Sequence, residues 1–374
     1  SRKSRFSTIR VLQMSQRTQK KRRSTLQIIT AALALTLSAC ATQPNAPAPK
    51  QVGKSLRFVK IIDDVGVGSN DFFKQILAGD EHINLRSPVA IDVRDDVMII
   101  ADRGEMVDYA GMHLRDKQTS VASAKMKVHD YNTGLIFKYN LKTNRMDILH
   151  GAGDAVKDEV SDVYLAKDGS FYVTDIEGRR ALHFSPEGKL LKIYRHPPNI
   201  FRPIAITVDE ERKEVLVADE TYSHIVAFDM DSGEPKYGMG DRGNGPGKFR
   251  IITDMIAIPD GYLVSDRIEL RVQVLDKAGN YIADFGRDEL MFPTALAMDK
   301  FGRVYVTDKS DSLIKVFKAG KLVERIGRNG YGPGEFRYVS DMKIYKDQLY
   351  VVDNLNGRIQ VFDIIPEGDV ALVH

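Results

Sequence analysis

The chain has 374 residues, with 54 Lys plus Arg, 51 Asp plus Glu and one cysteine. A single cysteine excludes an intrachain disulfide and any cysteine metal cluster. Nine of the basic residues and none of the acids fall in residues 1–39, so the remainder holds 45 basic against 51 acidic side chains, a net charge of −6. Such a domain lacks the clustered positive charge that non-specific nucleic-acid binding needs.

The first segment reads as a targeting sequence. A basic stretch from Arg2 to Arg23 precedes an apolar run from Leu26 to Leu37. That run is shorter than the roughly 20 residues that span a bilayer. Leu37-Ser38-Ala39-Cys40 resembles the bacterial lipobox, in which the cysteine is lipidated and becomes the mature N-terminus. Met14 is a more natural start than Ser1. Lipidation at Cys40 holds a protein at a membrane surface without a transmembrane helix. By resemblance to Gram-negative sorting, Ala41 after it favours the outer membrane. The expectation is a signal peptide over 1–39, a lipidated Cys40 with a Pro- and Ala-rich linker over 40–55, and one domain over 56–374 in the cell envelope.

The domain opens on a strand-like run, Leu56 to Ile62, and a Gly-rich segment, Gly66 to Phe72. Six short apolar runs that end in aspartate follow: Val97 to Asp102, Phe171 to Asp175, Val215 to Asp219, Tyr262 to Asp266, Val304 to Asp308 and Leu349 to Asp353. Their aspartates are spaced by 73, 44, 47, 42 and 45 residues. A repeat of roughly 40–50 residues built from short strands is the sequence signature of a propeller blade. The last unit shows the plan: Asp341 to Tyr345, a polar turn, Leu349 to Asp353, a tight loop, then Ile359-Gln360-Val361-Phe362 with period-two alternation. Third strands are expected at 135–139, 181–184, 225–228, 272–275 and 314–317, and weaker outer strands at 146–149, 190–194, 281–285 and 322–326. The fold expected is all-β, a six-bladed β-propeller of four-stranded antiparallel blades. Leu56 to Ile62 is expected to supply the outer strand of the last blade, with Val370 to Val373 as the competing candidate. Closure of the ring removes exposed sheet edges.

These residues resemble the NHL repeat family over roughly 56–365. A Pro opens several inner strands (Pro88, Pro203, Pro293), Ile-x-Val-Phe strands recur, and Gly243 to Phe249 and Gly330 to Phe336 match the Gly-rich interblade link. The resemblance speaks to fold, since propellers host many unrelated activities.

The six terminal aspartates read as architecture: a carboxylate at a strand end accepts hydrogen bonds from the tight loop that follows. The 73-residue spacing hides an insertion at about 104–134, on the face that carries the interblade links. Inner strands that do not open on Pro carry Ser161-Asp162, Thr253-Asp254 and Ser340-Asp341. Three carboxylates around an axis suit a hard cation such as calcium. The plainer reading is capping of strand ends, or ion pairs to Arg250 and Arg337. Arg86, Arg103, Arg202, Arg250, Arg267 and Arg337 fall in loops near the same face. A rim of Arg and Asp suits polar or anionic ligands.

Two enzyme resemblances bear on the same face. In the peptide alpha-amidating lyase, a six-bladed relative, an Arg-Gly-acidic stretch precedes a long insertion, as Arg103-Gly104-Glu105 does here. The resemblance implies a catalytic Arg103 and Tyr222. The family's zinc histidines, however, align with Ser161 and Thr253, poor zinc ligands. Gluconolactonase-like propellers hold a divalent metal with Glu, Asn and Asp, and no Asn stands at the inner-strand starts. His82, His113, His129, His150, His196 and His224 also map to the face, at irregular offsets.

The sequence thus reads as an exported, membrane-anchored, monomeric propeller that acts as a binding or scaffold module in the envelope. It has no nucleic-acid partner and no required cofactor, and it takes an envelope protein or glycan. The binding face holds Arg86, Arg103, Asp162, Arg202, Tyr222, Arg250, Asp254, Arg337 and Asp341. The alternative is a metal-dependent lyase or lactone hydrolase, with Arg103 and Tyr222 catalytic and calcium or zinc on Asp162, Asp254 and Asp341.

Overall fold

The computed structural model describes residues 51–63, 85–104, 135–157, 159–197 and 199–366. The signal segment, Cys40, Gly66 to Phe72, the insertion, Val370 to Val373 and the histidines 82, 113 and 129 lie outside them.

Among the described residues there are six four-stranded antiparallel sheets and one short two-stranded parallel sheet, Asp241–Arg242 with Lys248–Phe249. Blade one comprises Pro88–Arg94, Val97–Asp102, Leu135–Asn140 and Arg145–Ile148; blade two Val160–Leu165, Phe171–Asp175, Arg180–Phe184 and Leu190–Tyr194. Blade three comprises Pro203–Asp209, Glu214–Asp219, His224–Asp229 and Pro235–Met239; blade four Ile252–Ile258, Gly261–Asp266, Arg271–Asp276 and Tyr281–Phe285. Blade five comprises Pro293–Met298, Arg303–Asp308, Leu313–Lys318 and Lys321–Ile326. Blade six comprises Val339–Tyr345, Gln348–Asp353 and Arg358–Ile364, and Leu56–Ile62 is its outer strand, antiparallel to Arg358–Ile364. First strands of successive blades pack side by side all the way round, including blade six against blade one. The fold is a six-bladed β-propeller closed by its own N-terminal strand.

Second strands are buried along nearly their whole length, as their apolar runs require. Each packs between two neighbouring sheets, so the core is a set of interblade seams. Val89, Ile99, Phe171 and Val173 share the seam between blades one and two; Tyr305, Phe336, Val351 and Phe362 share that between blades five and six. At roughly 1.5–3 kcal/mol per fully buried large side chain, these seams are the main stabilising term.

Two elements were not legible in advance. Pro235–Met239 is the outer strand of blade three; its Pro is admissible because the strand lies at the sheet edge. A short helix, His150–Ala155, joins blades one and two.

The Gly-rich links are clamped by the third strand of the blade they precede. Arg271 donates to the carbonyls of Asn244, Gly245 and Lys248, and Gln273 to that of Lys248. Arg358 and Gln360 hold Tyr331, Gly332 and Glu335 in the same way. Gly240 and Gly327 sit at φ +76° and +96°, and a Cβ on either would lie 2.7 Å from the ring of Phe249 or Phe336. Only glycine fits this close approach.

Candidate binding face

Every first strand begins with a β-bulge, shown by a register shift against the second strand at Pro88/Ala90, Val160/Val163, Pro203/Ala205, Ile252/Asp254, Pro293/Leu296 and Val339/Asp341. A bulge re-aims side chains. Here it places Asp162, Asp254 and Asp341 on blades two, four and six, and buried Ala90, Ala205 and Ala295 on blades one, three and five.

Each of these aspartates caps its own strand and staples the next. Asp162 accepts from Val163 N–H and from Ile206 N–H of blade three, both at 2.8 Å. Asp254 accepts from Met255 (2.6 Å) and from Leu296 of blade five (2.7 Å). Asp341 accepts from Met342 (2.7 Å) and from Ile91 of blade one (2.8 Å). The neighbouring hydroxyls do likewise: Ser161, Thr253 and Ser340 donate to the carbonyls of Pro203, Pro293 and Pro88. Three carboxylates thereby satisfy one buried N–H in each of six blades.

A cation is already present among them. Lys343, two residues beyond Asp341 on the same strand face, places Nζ 3.4 Å from Asp162 and 3.5 Å from Asp341. Burial disfavours its charge, but Asp162, Asp341, Asp254 and Asp92 outweigh that and hold its pKa well above the ordinary lysine value. Burial likewise pushes Asp92, Asp162 and Asp341 up, and Asp254 to about 6, against the opposing pull of Lys343. Among the described residues no three His, Cys, Asp or Glu side chains converge as a metal would require. The expected ion pairs from Asp254 to Arg250 and from Asp341 to Arg337 are not formed. Arg250 faces Glu269 at 3.9 Å, and Arg337 stacks on Tyr331.

Above this layer lies the link-bearing face. The aspartate that ends each second strand also binds the backbone entering its blade: Asp102 takes Arg86 and Ser87, Asp219 takes Phe201 and Arg202 as well as Tyr222 of its own following loop, and Asp266 takes Arg250 and Ile251. The residue after each aspartate then donates its N–H to the residue before the first strand. These pairs are Arg103 with Ser87, Ile176 with Glu159, Glu220 with Arg202, Arg267 with Ile251, Lys309 with Phe292 and Asn354 with Tyr338.

Their side chains form a circuit round the mouth that the backbone bonds Asn354 to Tyr338 and Arg103 to Ser87 complete. Arg103 pairs with Glu159, which Arg202 approaches at 4.0 Å. Arg202 binds Glu220 at 2.5 Å, and Arg267 lies 3.6 Å from Glu220. Arg267 and Lys309 sit over Phe292 at 4.9 and 5.5 Å, and Lys309 over Tyr338 at 4.5 Å. Asn354 closes the circuit on Ser87 of blade one (3.2 Å). Burial raises the Tyr338 phenol pKa, while Arg103 and Arg267 pull it back.

The structure therefore places Arg86, Arg103, Arg202, Tyr222, Arg250 and Arg337 on this face, and Asp162, Asp254 and Asp341 buried beneath it. Arg103 and Tyr222 are not in contact: Arg103 is engaged by Glu159, whereas Tyr222 packs edge-on to Phe201. His196 and His224 both meet Asn199, so they form a hydrogen-bonded pair of loops. Glu159, Glu220, Phe292, Lys309, Tyr338 and Lys343 escaped the sequence reading. For all but Lys343, which lies inside the first strand of blade six, the signal is a fixed offset, one residue after the terminal aspartate or one before the first strand.

Residues 287–366 match the family model described as 6-bladed beta-propeller (DUF5128). No curated protein matches the chain. Among solved structures, a protein of unknown function from Bacteroides thetaiotaomicron is similar at a TM-score of 0.55 and 11% identity, covering 75% of this chain and 70% of that one. A streptogramin B lyase is similar at 0.54 and 9%, covering 84% and 100%. A virginiamycin B lyase from Staphylococcus aureus is similar at 0.50 and 11%, covering 75% and 95%. At these identities the likeness is one of fold.

Proposed function

We propose that this chain is an NHL-type lipoprotein of the cell envelope, anchored through Cys40, whose link-bearing face binds an envelope partner. The observation that carries the reading is the placement of exposed apolar side chains. Phe201, Tyr222, Ile268, Met291, Tyr331 and Leu355 all stand on loops of this face, at 40–70% exposure. Among the described residues, the other large exposed apolar side chains belong to outer strands. Apolar side chains gathered beside a polar circuit fit the anatomy of a protein interface, with aromatic anchors and a polar surround.

The test uses the full-length anchored chain in cells, with a photo-crosslinking side chain at Met291 or Tyr331. Ile282 and Val323, on outer strands at 56% and 52% exposure, serve as controls. A discrete adduct from the face positions alone supports the reading. Equal labelling from all four positions, or none, rejects it. Anchoring is checked separately: Cys40→Ser should move the chain from the membrane to the soluble fraction.

A further inference from the structure

The arginines of the circuit are engaged by glutamate or aromatic rings, but one region of the same face departs from this. Between blades two and three lies a cleft of about 610 Å³, lined in part by Lys157, Glu177, Arg179, Arg195, Phe201 and Tyr222. Among the described residues it sets three cations against one carboxylate. Among the described residues, neither the Lys157 ammonium nor the Arg179 guanidinium has an ion pair or hydrogen bond. The Arg179 guanidinium carbon lies over the Phe201 ring, 3.9 Å from its centroid. Arg195 spends one contact on the Gly178 carbonyl (3.3 Å). Tyr222 meets Phe201 edge-on at 6.3 Å and extends the apolar wall.

A guanidinium held over a ring spends none of its N–H donors on that contact, and those of Arg179, on the wall of the cleft, remain available to a ligand. A guanidinium edge matches the two oxygens of a carboxylate or phosphate. We propose that this cleft is a binding subsite for an oxyanion joined to a flat apolar group. The oxyanion sits on Arg179, Arg195 and Lys157, and the apolar part lies against Phe201 and Tyr222. The proposal rests on the reading that this face binds, and it deepens that reading by naming what one part of the face recognises. It also accounts for an unneutralised cationic cluster in a net-acidic domain.

The test is calorimetric titration of the full chain with four probes: phenyl phosphate, phenylacetate, inorganic phosphate and benzyl alcohol. One saturable site is expected for at least one of the first two, about tenfold tighter than for inorganic phosphate or benzyl alcohol. Preference between phenyl phosphate and phenylacetate tells which oxyanion the cleft takes. Arg179→Ala and Lys157→Gln should each weaken binding about tenfold, while Arg57→Ala, on the outer strand of blade six, leaves it unchanged. No saturable binding, or binding that Arg179→Ala and Lys157→Gln leave intact, overturns the proposal. Because the crosslinking test reads blades five and six, a failure here with adducts there removes the subsite and leaves the binding face.

Discussion

Lys343 on blade six and Asp162 on blade two are 3.4 Å apart although a whole blade separates their strands. One lysine thus spans the channel and ties together inner strands that share no backbone hydrogen bond. Its head lies among Asp92, Asp162, Asp254 and Asp341, and its side chain is 15% exposed.

Lys343→Met should destabilise the propeller by about 3–5 kcal/mol near pH 8, since it strands buried carboxylates without a counter-charge. The loss should shrink towards pH 5, below the value of about 6 to which burial raises Asp254. Denaturant unfolding at the two pH values checks this; equal losses would argue against an electrostatic role for the lysine.

Asp254 has a folded pKa of about 6, above its unfolded value. Below the unfolded value both states are protonated, and the contribution of this group is fully present. As pH rises towards 6 the unfolded chain gives up its proton first, so stability falls through that window. Asp254→Asn should flatten the stability profile between about pH 4 and 6. Asp254→Ala leaves the N–H groups of Met255 and Leu296 unpartnered. It should cost about 1–3 kcal/mol for each orphaned donor.

The link clamps give a contrast between buried and exposed pairs. Arg358, 8% exposed, binds Asp353 at 2.9 Å as well as three link carbonyls. Arg358→Ala should cost about 3–5 kcal/mol. Arg57 pairs with Asp363 at 2.8 Å but is 49% exposed, and Arg57→Ala should cost under about 1 kcal/mol. Paired chemical denaturation of the two variants measures the difference.

Ring closure depends on Leu56, fully buried in the seam with Phe336, Phe362 and Ile364. Leu56→Ala should cost about 2–5 kcal/mol, with hydrogen exchange accelerating first in Arg358–Ile364, its partner strand. Faster exchange confined to another blade would contradict the latch.

The ladder of strands was legible because Val215 to Asp219 and its equivalents repeat both composition and spacing. Leu56–Ile62 was legible as the latch because the sixth repeat lacked an outer strand. The Pro235–Met239 strand was hidden, since Pro and Gly interrupt its alternation. The circuit was half legible. Arg103, Arg202 and Arg267 stood out by charge, but Glu159 and Lys309 gain meaning only when neighbouring blades bring them together. Asp162, Asp254 and Asp341 were visible as a periodic trio. Which donors their oxygens meet depends on the stagger between adjacent sheets, and that is not written in any one repeat.

The alternation of aspartate and alanine round the channel has an arithmetic consequence. An aspartate blade binds its own N–H with one oxygen and the N–H of the following alanine blade with the other, so the true repeat is a pair of blades. A ring with an odd number of blades cannot complete this pattern. It must set two alanine blades side by side and orphan a buried donor, or set two aspartate blades together so that two carboxylates compete for one donor. In this layer of the channel the molecule is three blade pairs written in a single chain, with one addition: Asp92, further along the first strand of blade one, takes Val93 N–H and Leu165 N–H of blade two in the same manner.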